Sequence, residues 1–333
     1  MERVGQLWDM VGHTPLVKIE SLSKLTGCPI FAKAEFLNPS GSVKDRAAKG
    51  IIQDAEKRGL LKPGSIIVEG SAGNTGIGLA TLAAERGYKT IITIPDNQSE
   101  EKYAMLEWLG VDLRKFAPVP FANPMHFYHQ AKAIADSNPG FFWANQFENP
   151  ANGDFHFETT GPEIWHQSKG AVDIFVCAVG SGGTISGVSR FLKNKKPAVR
   201  TVIADPYGSG MYCYLGTGKI ETEGSSVTEG IGVMRVTENF KAARIDEALR
   251  ISDQSMIDTI YHLAQHDGLV VGPSSGLNVS AAYQLAQLHA GRGKTIVTLL
   301  CDHGTRYASR LLNRKWLEEK KLIPKQLAQR TDP

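Results

Sequence analysis

Long hydrophobic runs are missing from this sequence of 333 residues. No apolar stretch approaches the ~18 residues of a membrane-spanning helix, so an integral helical membrane protein is excluded. Cysteine is scarce: Cys28, Cys177, Cys213 and Cys301 lie far apart without CxxC spacing. That argues against a disulfide framework or a cysteine-rich zinc site, and for a reducing compartment. Charge of one sign is also lacking, since 37 Lys plus Arg against 34 Asp plus Glu leaves +3. So small and evenly spread an excess gives no footprint for nucleic acid or an anionic membrane. The start of the chain lacks the apolar core of a signal peptide. Repeats, low-complexity tracts and long charge runs are absent too. With 42% apolar and 21% charged residues, the composition is that of a globular protein, expected to be cytoplasmic.

What is present is an alternation of short β-branched runs and longer helical stretches. The strands expected are Ile30–Glu35, Ser65–Glu69, Thr90–Pro95, Phe141–Gln146, Asp173–Val179, Arg200–Asp205 and Thr295–Cys301. Several are continuously apolar, as strands buried on both faces are. Helices are expected over Asp45–Arg58, Thr75–Arg86, Lys102–Leu109 and Leu277–Ala290. This order predicts an α/β fold with parallel sheets covered by helices. The best boundary between two sets of units is the turn-rich Asn149-Pro150-Ala151-Asn152-Gly153. The charged tail from Asn313 to Pro333 is expected at the periphery.

Ligands of parallel α/β folds gather at the carboxyl ends of strands, where three glycine-rich turns fall. Gly180-Ser181-Gly182-Gly183-Thr184 opens a helix whose N–H groups could cradle a phosphate; the alternative is plain turn packing. It is neither a GxGxxG fingerprint nor a Walker loop, although Asp205 ends the next strand where a ribose-binding acid belongs. Gly70-Ser71-Ala72-Gly73-Asn74-Thr75-Gly76 gathers hydroxyls, an amide and N–H groups suited to a carboxylate, or is an ordinary connection. In Gly272-Pro273-Ser274-Ser275-Gly276 the hydroxyls could simply cap the next helix. Finally, Ser42 and Asp45 have capping-box spacing, which places Lys44 in the first turn of a helix. A helix N-terminus and burial both disfavour an ammonium there, the tuning wanted of a Schiff-base lysine rather than a surface one.

Further motifs join these in order: Gly12-His13-Thr14-Pro15-Leu16-Val17, Asn38-Pro39-Ser40, Gln146-Phe147-Glu148-Asn149-Pro150-Ala151-Asn152, Thr159-Thr160-Gly161-Pro162-Glu163-Ile164-Trp165 and Gly230-Ile231-Gly232. The series, from about Leu7 to about Asn313, resembles the cysteine synthase (O-acetylserine sulfhydrylase) and cystathionine β-synthase family of pyridoxal-phosphate enzymes. The resemblance implies fold type II, the tryptophan synthase β-subunit-like fold, with two domains, each a mainly parallel sheet flanked by helices. The N-terminal part, 1–150, would include a smaller substrate-loop domain at about 45–150. The larger cofactor-phosphate domain would be 151–333, joined by segment 1–40.

By the same resemblance, Lys44 carries pyridoxal 5′-phosphate as a Schiff base and then acts as the base. Asn74 bonds the pyridoxal 3′-oxygen, Gly180, Ser181, Gly182, Gly183 and Thr184 hold the phosphate, and Ser274 faces the pyridine nitrogen. Ser71, Gly73, Thr75 and Gln146 receive the amino acid carboxylate, and Gly230 and Gly232 border the cleft. The implied reaction is β-replacement on O-acetylserine or a related β-substituted alanine, through an α-aminoacrylate, with sulfide adding to give cysteine. Elimination from cysteine to sulfide, pyruvate and ammonia is the alternative within the same chemistry. A nucleotide-binding oxidoreductase built on Gly180 and Asp205, or a silent binding protein, are the alternatives outside it. A homodimer is implied, as is docking of a serine acetyltransferase C-terminal peptide; nucleic acid and membrane are not expected partners.

Departures from the family pattern fall in the substrate loop, where Ser71-Ala72 stands for the usual Thr-Ser, and in Met211-Tyr212-Cys213-Tyr214, expected near the cleft. The pairs His126/His129 and His262/His266 have helical spacing, but no HExxH accompanies them and no metal is expected. His303 is read as a loop residue with a substrate-side role as the alternative, Cys177 and Cys301 as small strand hydrophobes, and Cys213 as an exposed loop thiol. Phe141, Phe142 and Trp143 are read as core strand residues.

Overall fold

The structure, a computed structural model, describes residues 5–325. The first residues of the chain and the last eight of the charged tail lie outside them. The chain runs β1 (Leu16–Lys18), α1 (Glu20–Thr26), β2 (Ile30–Ala34), α2 (Lys44–Lys57), β3 (Ile66–Gly70), α3 (Asn74–Glu85), β4 (Lys89–Pro95), α4 (Glu100–Trp108), β5 (Asp112–Phe116), α5 (Phe127–Asp136) and β6 (Phe141–Trp143). It continues through α6 (Ala151–Glu158), α7 (Thr160–Gln167), β7 (Ile174–Ala178), α8 (Gly183–Lys195), β8 (Arg200–Pro206), α9 (Met211–Thr217) and α10 (Glu238–Lys241). The last elements are β9 (Glu247–Ile251), α11 (Asp253–His266), α12 (Pro273–Leu288), β10 (Ile296–Leu300) and α13 (Arg314–Glu319).

Two sheets result. One has six strands in the order β1-β2-β10-β7-β8-β9, parallel except for β1; the other has four, β5-β4-β3-β6, all parallel. The α/β fold with mainly parallel sheets flanked by helices is the observed one. The larger sheet takes in β1 and β2 from the start of the chain, and the smaller sheet is built entirely from 66–143.

Strand periodicity explains why the larger sheet is buried on both faces. Along β7, Ile174, Val176 and Ala178 enter one core while Phe175 and Cys177 enter the other. Along β10, Ile296 and Leu300 share the first core, Val297 and Leu299 the second. A strand with both faces covered must be apolar throughout, so its sequence cannot alternate. The strands absent from the sequence reading, β1, β5 and β9, are all sheet edges. An edge strand needs polar residues to discourage further pairing, which erases the apolar signal; Asp112-Leu113-Arg114-Lys115-Phe116 is an example.

Several local expectations are corrected. Asp45 does not complete a capping box with Ser42. Its carboxylate accepts from the Ser40 backbone N–H (2.6 Å) and hydroxyl, while Ser42 Oγ accepts the Lys44 N–H (3.2 Å). The loop before the helix thus folds back farther than a capping box does. The strand expected to reach Gln146 stops at Trp143, and 151–153 are already helix rather than turn. Phe141, Phe142 and Trp143 are half-buried. Met211–Tyr214 forms a helix, so Cys213 is not in a loop; its half-buried sulfur accepts from Arg250 Nη2 (3.3 Å). His303 caps a short 3-10 helix, its ring accepting the Thr305 N–H (3.3 Å).

A buried ion cluster fixes the start of α2. Arg46, fully buried, forks onto Glu35 (Nε–Oε2 2.7 Å, Nη2–Oε1 2.8 Å) and onto Glu163 (Nη1–Oε1 2.8 Å, Nη2–Oε2 2.8 Å). Lys33 reaches Glu163 at 2.6 Å, and the Thr14 hydroxyl donates to Glu35 (2.7 Å). Burial opposes charge on Glu163, but the two cations outweigh it and hold the carboxyl down to about 2. Residues from the motifs at 12–17, 42–46 and 159–165 meet here, two residues from Lys44.

Candidate active site

Between the two sheets lies a cavity of about 330 Å³. Lys44, Ser71, Gly73, Asn74, Thr75, Gln146, Gly180, Ser181, Gly182, Thr184, Gly230, Gly232 and Ser274 all line it. Gly183 alone among the expected site residues does not; it is the first residue of α8, between Gly182 and Thr184, which do. Asp205 is elsewhere, buried, and its carboxylate accepts the Tyr212 N–H at the start of α9 (2.8 Å).

Lys44 is the first residue of α2 and is half-buried against the cavity. Its backbone is anchored to the end of β10, where the Val43 N–H donates to Cys301 O (2.8 Å). The lysine therefore sits where a helix N-terminus meets a strand's carboxyl end.

The turn between β3 and α3 is closed by Ser71, whose Oγ accepts the N–H groups of Gly73 (3.0 Å) and Gly76 (3.2 Å). Its own hydroxyl proton remains for a ligand. Gly73 has φ +126°, and a Cβ there would lie 2.5 Å from Lys102 Cδ, so both conformation and space require glycine. Thr75 Oγ1 donates to Gln146 Oε1 (2.6 Å). Asn74 is held at both ends: Nδ2 donates to Asp302 (2.7 Å) and Oδ1 accepts from Arg306 (2.5 Å). Tyr307 donates to the same Asp302 oxygen (2.6 Å).

The turn before α8 takes φ +89° at Gly182, and no side chain caps the helix. Its first N–H groups therefore remain available to an anion, and the helix dipole favours one there. Thr237 and Asn152 brace the turn from behind, donating to Ser181 O (2.8 Å) and Ser181 Oγ (2.9 Å). Thr184 Oγ1 contacts His156 Nε2 (3.2 Å), and burial pushes that histidine down to about 3, leaving it neutral. Ser274 is in the first turn of α12, which begins at Pro273, so the serines of the third turn are helical and not caps. An uncapped helix start, a nearby amine and a hydroxyl in one cavity form a donor set that fits a phosphate-bearing aldehyde.

Other walls escaped the sequence reading. Lys102, fully buried on α4, pairs with Glu229 (2.6 Å), which also takes Ser99 Oγ (2.6 Å) and Arg310 (2.7 Å). Burial pushes the Lys102 amine down, and Glu229 opposes it. Lys102 and Glu229 are 127 residues apart, and nothing in either neighbourhood signals the other. Phe121, Tyr128 and Phe147 stack on the Arg235 guanidinium, with centroids at 4.6, 4.9 and 5.1 Å. Cys177 and Cys301 reach the cavity as well as the core; Cys301 lies past the end of β10, and burial holds its thiol at about 11. His126 lines the same cavity and accepts the Tyr128 N–H (3.3 Å), while His262 bonds Ser21 Oγ (2.8 Å).

Comparison with known proteins agrees with this geometry. Residues 7–302 match the family described as pyridoxal-phosphate dependent enzyme. Cysteine synthase 1 of Neurospora crassa is 48% identical over 318 residues, covering 94% of this chain and 84% of that protein. The crystal structure of O-ureido-L-serine synthase superposes with a TM-score of 0.85 at 33% identity, over 93% of this chain and 95% of that one. A hydrogen sulfide-producing enzyme from Fusobacterium nucleatum superposes with a TM-score of 0.84 at 31% identity, over 92% and 100%. On these matches, the chain belongs to the cysteine synthase and cystathionine β-synthase family of pyridoxal-phosphate dependent enzymes.

Proposed function

We propose that the chain forms L-cysteine from O-acetyl-L-serine and sulfide by β-replacement, with Lys44 as the residue that holds the cofactor and moves the substrate's Cα proton. The observation that carries this is the meeting of Lys44, the uncapped start of α8 and the Ser71–Thr75 turn on one cavity. When bound, pyridoxal phosphate supplies an electron sink for negative charge at Cα and a covalent hold on the substrate's amino group.

The chain's residues do the rest. Gly180, Ser181, Gly182, Gly183 and Thr184 bind the phosphate, through N–H groups and hydroxyls at the start of α8. Asn74, fixed between Asp302 and Arg306, keeps an amide hydrogen for the 3′-oxygen. Ser274, which lines the cavity, would offer the ring nitrogen a neutral hydroxyl rather than a carboxylate. Ser71, Gly73, Thr75 and Gln146 orient the substrate carboxylate, and Gly230 and Gly232 border the cleft. Residues 45–150 act as the substrate-loop domain against the larger remainder.

Elimination from cysteine is the second reading, favoured by the likeness to a hydrogen sulfide-producing enzyme. The test is to mix holoenzyme with O-acetylserine and sulfide, and separately with cysteine alone. Faster cysteine formation supports the first reading; faster sulfide release overturns it in favour of the second.

Ala72 gives the loop one side-chain donor fewer than a serine would. Ala72 faces the cavity, and its Cβ lies 4.0 Å from where a Cβ on Gly230 would stand, leaving room for a hydroxyl. Ala72→Ser is expected to lower KM for O-acetylserine up to about fivefold, the effect of one hydrogen bond of ~1 kcal/mol, at unchanged kcat.

Among the described residues no helix is long and apolar enough to cross a membrane. A cytoplasmic protein fits its four free thiols. A homodimer is the expected assembly, and light scattering decides its mass. A serine acetyltransferase C-terminal peptide would place its terminal carboxylate on the Ser71–Thr75 turn.

A further inference from the structure

Glu69, the fourth residue of β3, is fully buried directly behind the carboxylate-binding turn. Its Oε1 accepts from Gln146 Nε2 (3.1 Å) and its Oε2 from the Gln146 backbone N–H (3.3 Å). The second hydrogen of that amide goes to Gly70 O (3.3 Å), and Gln146 Oε1 is taken by the Thr75 hydroxyl (2.6 Å). In this arrangement the Thr75 hydroxyl and both hydrogens of the Gln146 side-chain amide are committed within the protein. Two of the side chains assigned to a substrate carboxylate then have no hydrogen left to give it.

A half-turn of the amide reverses this, and the protonation of Glu69 decides between the two orientations. A charged carboxylate takes the amide nitrogen, as observed. A neutral carboxyl has an O–H that needs an acceptor, and the groups bonded to it are donors. Turning the amide brings Gln146 Oε1 to that O–H. Gln146 Nε2 then donates to Thr75 Oγ1, and the Thr75 hydroxyl is released toward the cavity.

We propose that Glu69 is a proton-holding positioning residue: its neutral carboxyl turns the Gln146 amide and so frees the Thr75 hydroxyl for the substrate carboxylate. The inference rests on the carboxylate placement given above. Substrate binding accordingly takes up a proton at Glu69 wherever the free enzyme has lost it.

The surroundings support a carboxyl that changes state near neutrality. Burial raises it to about 8 against the hydrogen bonds it accepts, and no ion pair reaches it among the described residues. β4 places Ile92 opposite it, and β6 with its following turn brings Trp143, Asn145 and Gln146. From α5, packed on β3, come Tyr128, raised to about 12 by burial, and His126, lowered to about 4, neither of which changes charge between these limits. Lys132 of α5 pairs with Asp136. Glu148 is paired with Arg235, and Lys102 with Glu229; α3 has one acid, Glu85, at its far end. Lys44 faces the cavity from α2.

Propanoate, the substrate's three-carbon acid without its amine and acetoxy groups, is the probe, because it does not titrate in the range used. Its competitive inhibition of the holoenzyme against O-acetylserine is measured from pH 7 to 9, with proton uptake on binding read by calorimetry in two buffers. Ki in the unaltered enzyme is expected to rise about tenfold, following the loss of the competent fraction, with proton uptake at the high end. Glu69→Gln, whose amide donates like the neutral acid, should keep Ki low and flat with no uptake. A flat profile in the unaltered enzyme overturns the inference whether or not the variant folds, as does the same rise persisting in Glu69→Gln. Failure of propanoate to compete at any pH would instead remove the carboxylate placement on which the inference stands.

Discussion

Replacing Lys44 with alanine is expected to lower turnover by at least about a thousandfold, since one residue is assigned two roles. It holds the cofactor, and it removes the proton from the substrate's α-carbon. Neither role passes readily to a neighbour. The other cavity lysine, Lys102, is committed to Glu229 at 2.6 Å and lies over the Tyr307 ring at 4.6 Å. The purified variant should lack the visible absorbance band of lysine-linked cofactor. Its fold should persist, because Lys44 is half-buried and contributes no ion pair among the described residues. A variant that retains both the band and the activity would show that another amine does this work.

Arg46→Ala should have the largest effect on stability. The change leaves Glu35 with no exposure to solvent and without its bidentate partner, and removes one of two cations from Glu163. Breaking such a pair by deleting one member costs about 3–5 kcal/mol. For a protein of this size that lowers the melting temperature by roughly 4–7 °C. The effect depends on pH in a definite sense. Glu163 is held at about 2 in the fold against an ordinary 4.5, so its contribution is complete above 4.5 and fades as pH falls toward 2. The gap between the unaltered protein and the variant should narrow over that acid range. Thermal melts at pH 7 and pH 3 check both statements. A gap that is absent at neutral pH would mean that the cluster is not what holds α2 in place.

The sequence made the architecture legible where physics leaves a local mark. A strand covered on both faces must be apolar throughout, and β7 and β10 can be read directly for that reason. Glycine turns at the carboxyl ends of strands likewise advertise themselves, because few other residues allow backbone so close to a ligand. Polar edge strands such as β5 carry no such mark. Capping was misread because the spacing of Ser42 and Asp45 is blind to Ser40, which competes for the same carboxylate. Long-range pairing leaves no local trace either. Lys102 with Glu229, Arg46 with Glu163, and Glu69 behind Gln146 each join segments more than 70 residues apart. The motif at Thr14-Pro15 was legible as family character, but its buried hydroxyl serves Glu35 rather than the ligand.

The central claim is that one amine, at the first residue of α2, forms the covalent link to the cofactor. Borohydride reduction of the holoenzyme followed by peptide mapping measures this directly. The account predicts a single pyridoxyl adduct on the peptide carrying Lys44. An adduct on Lys102, or on any lysine outside the cavity, would contradict it.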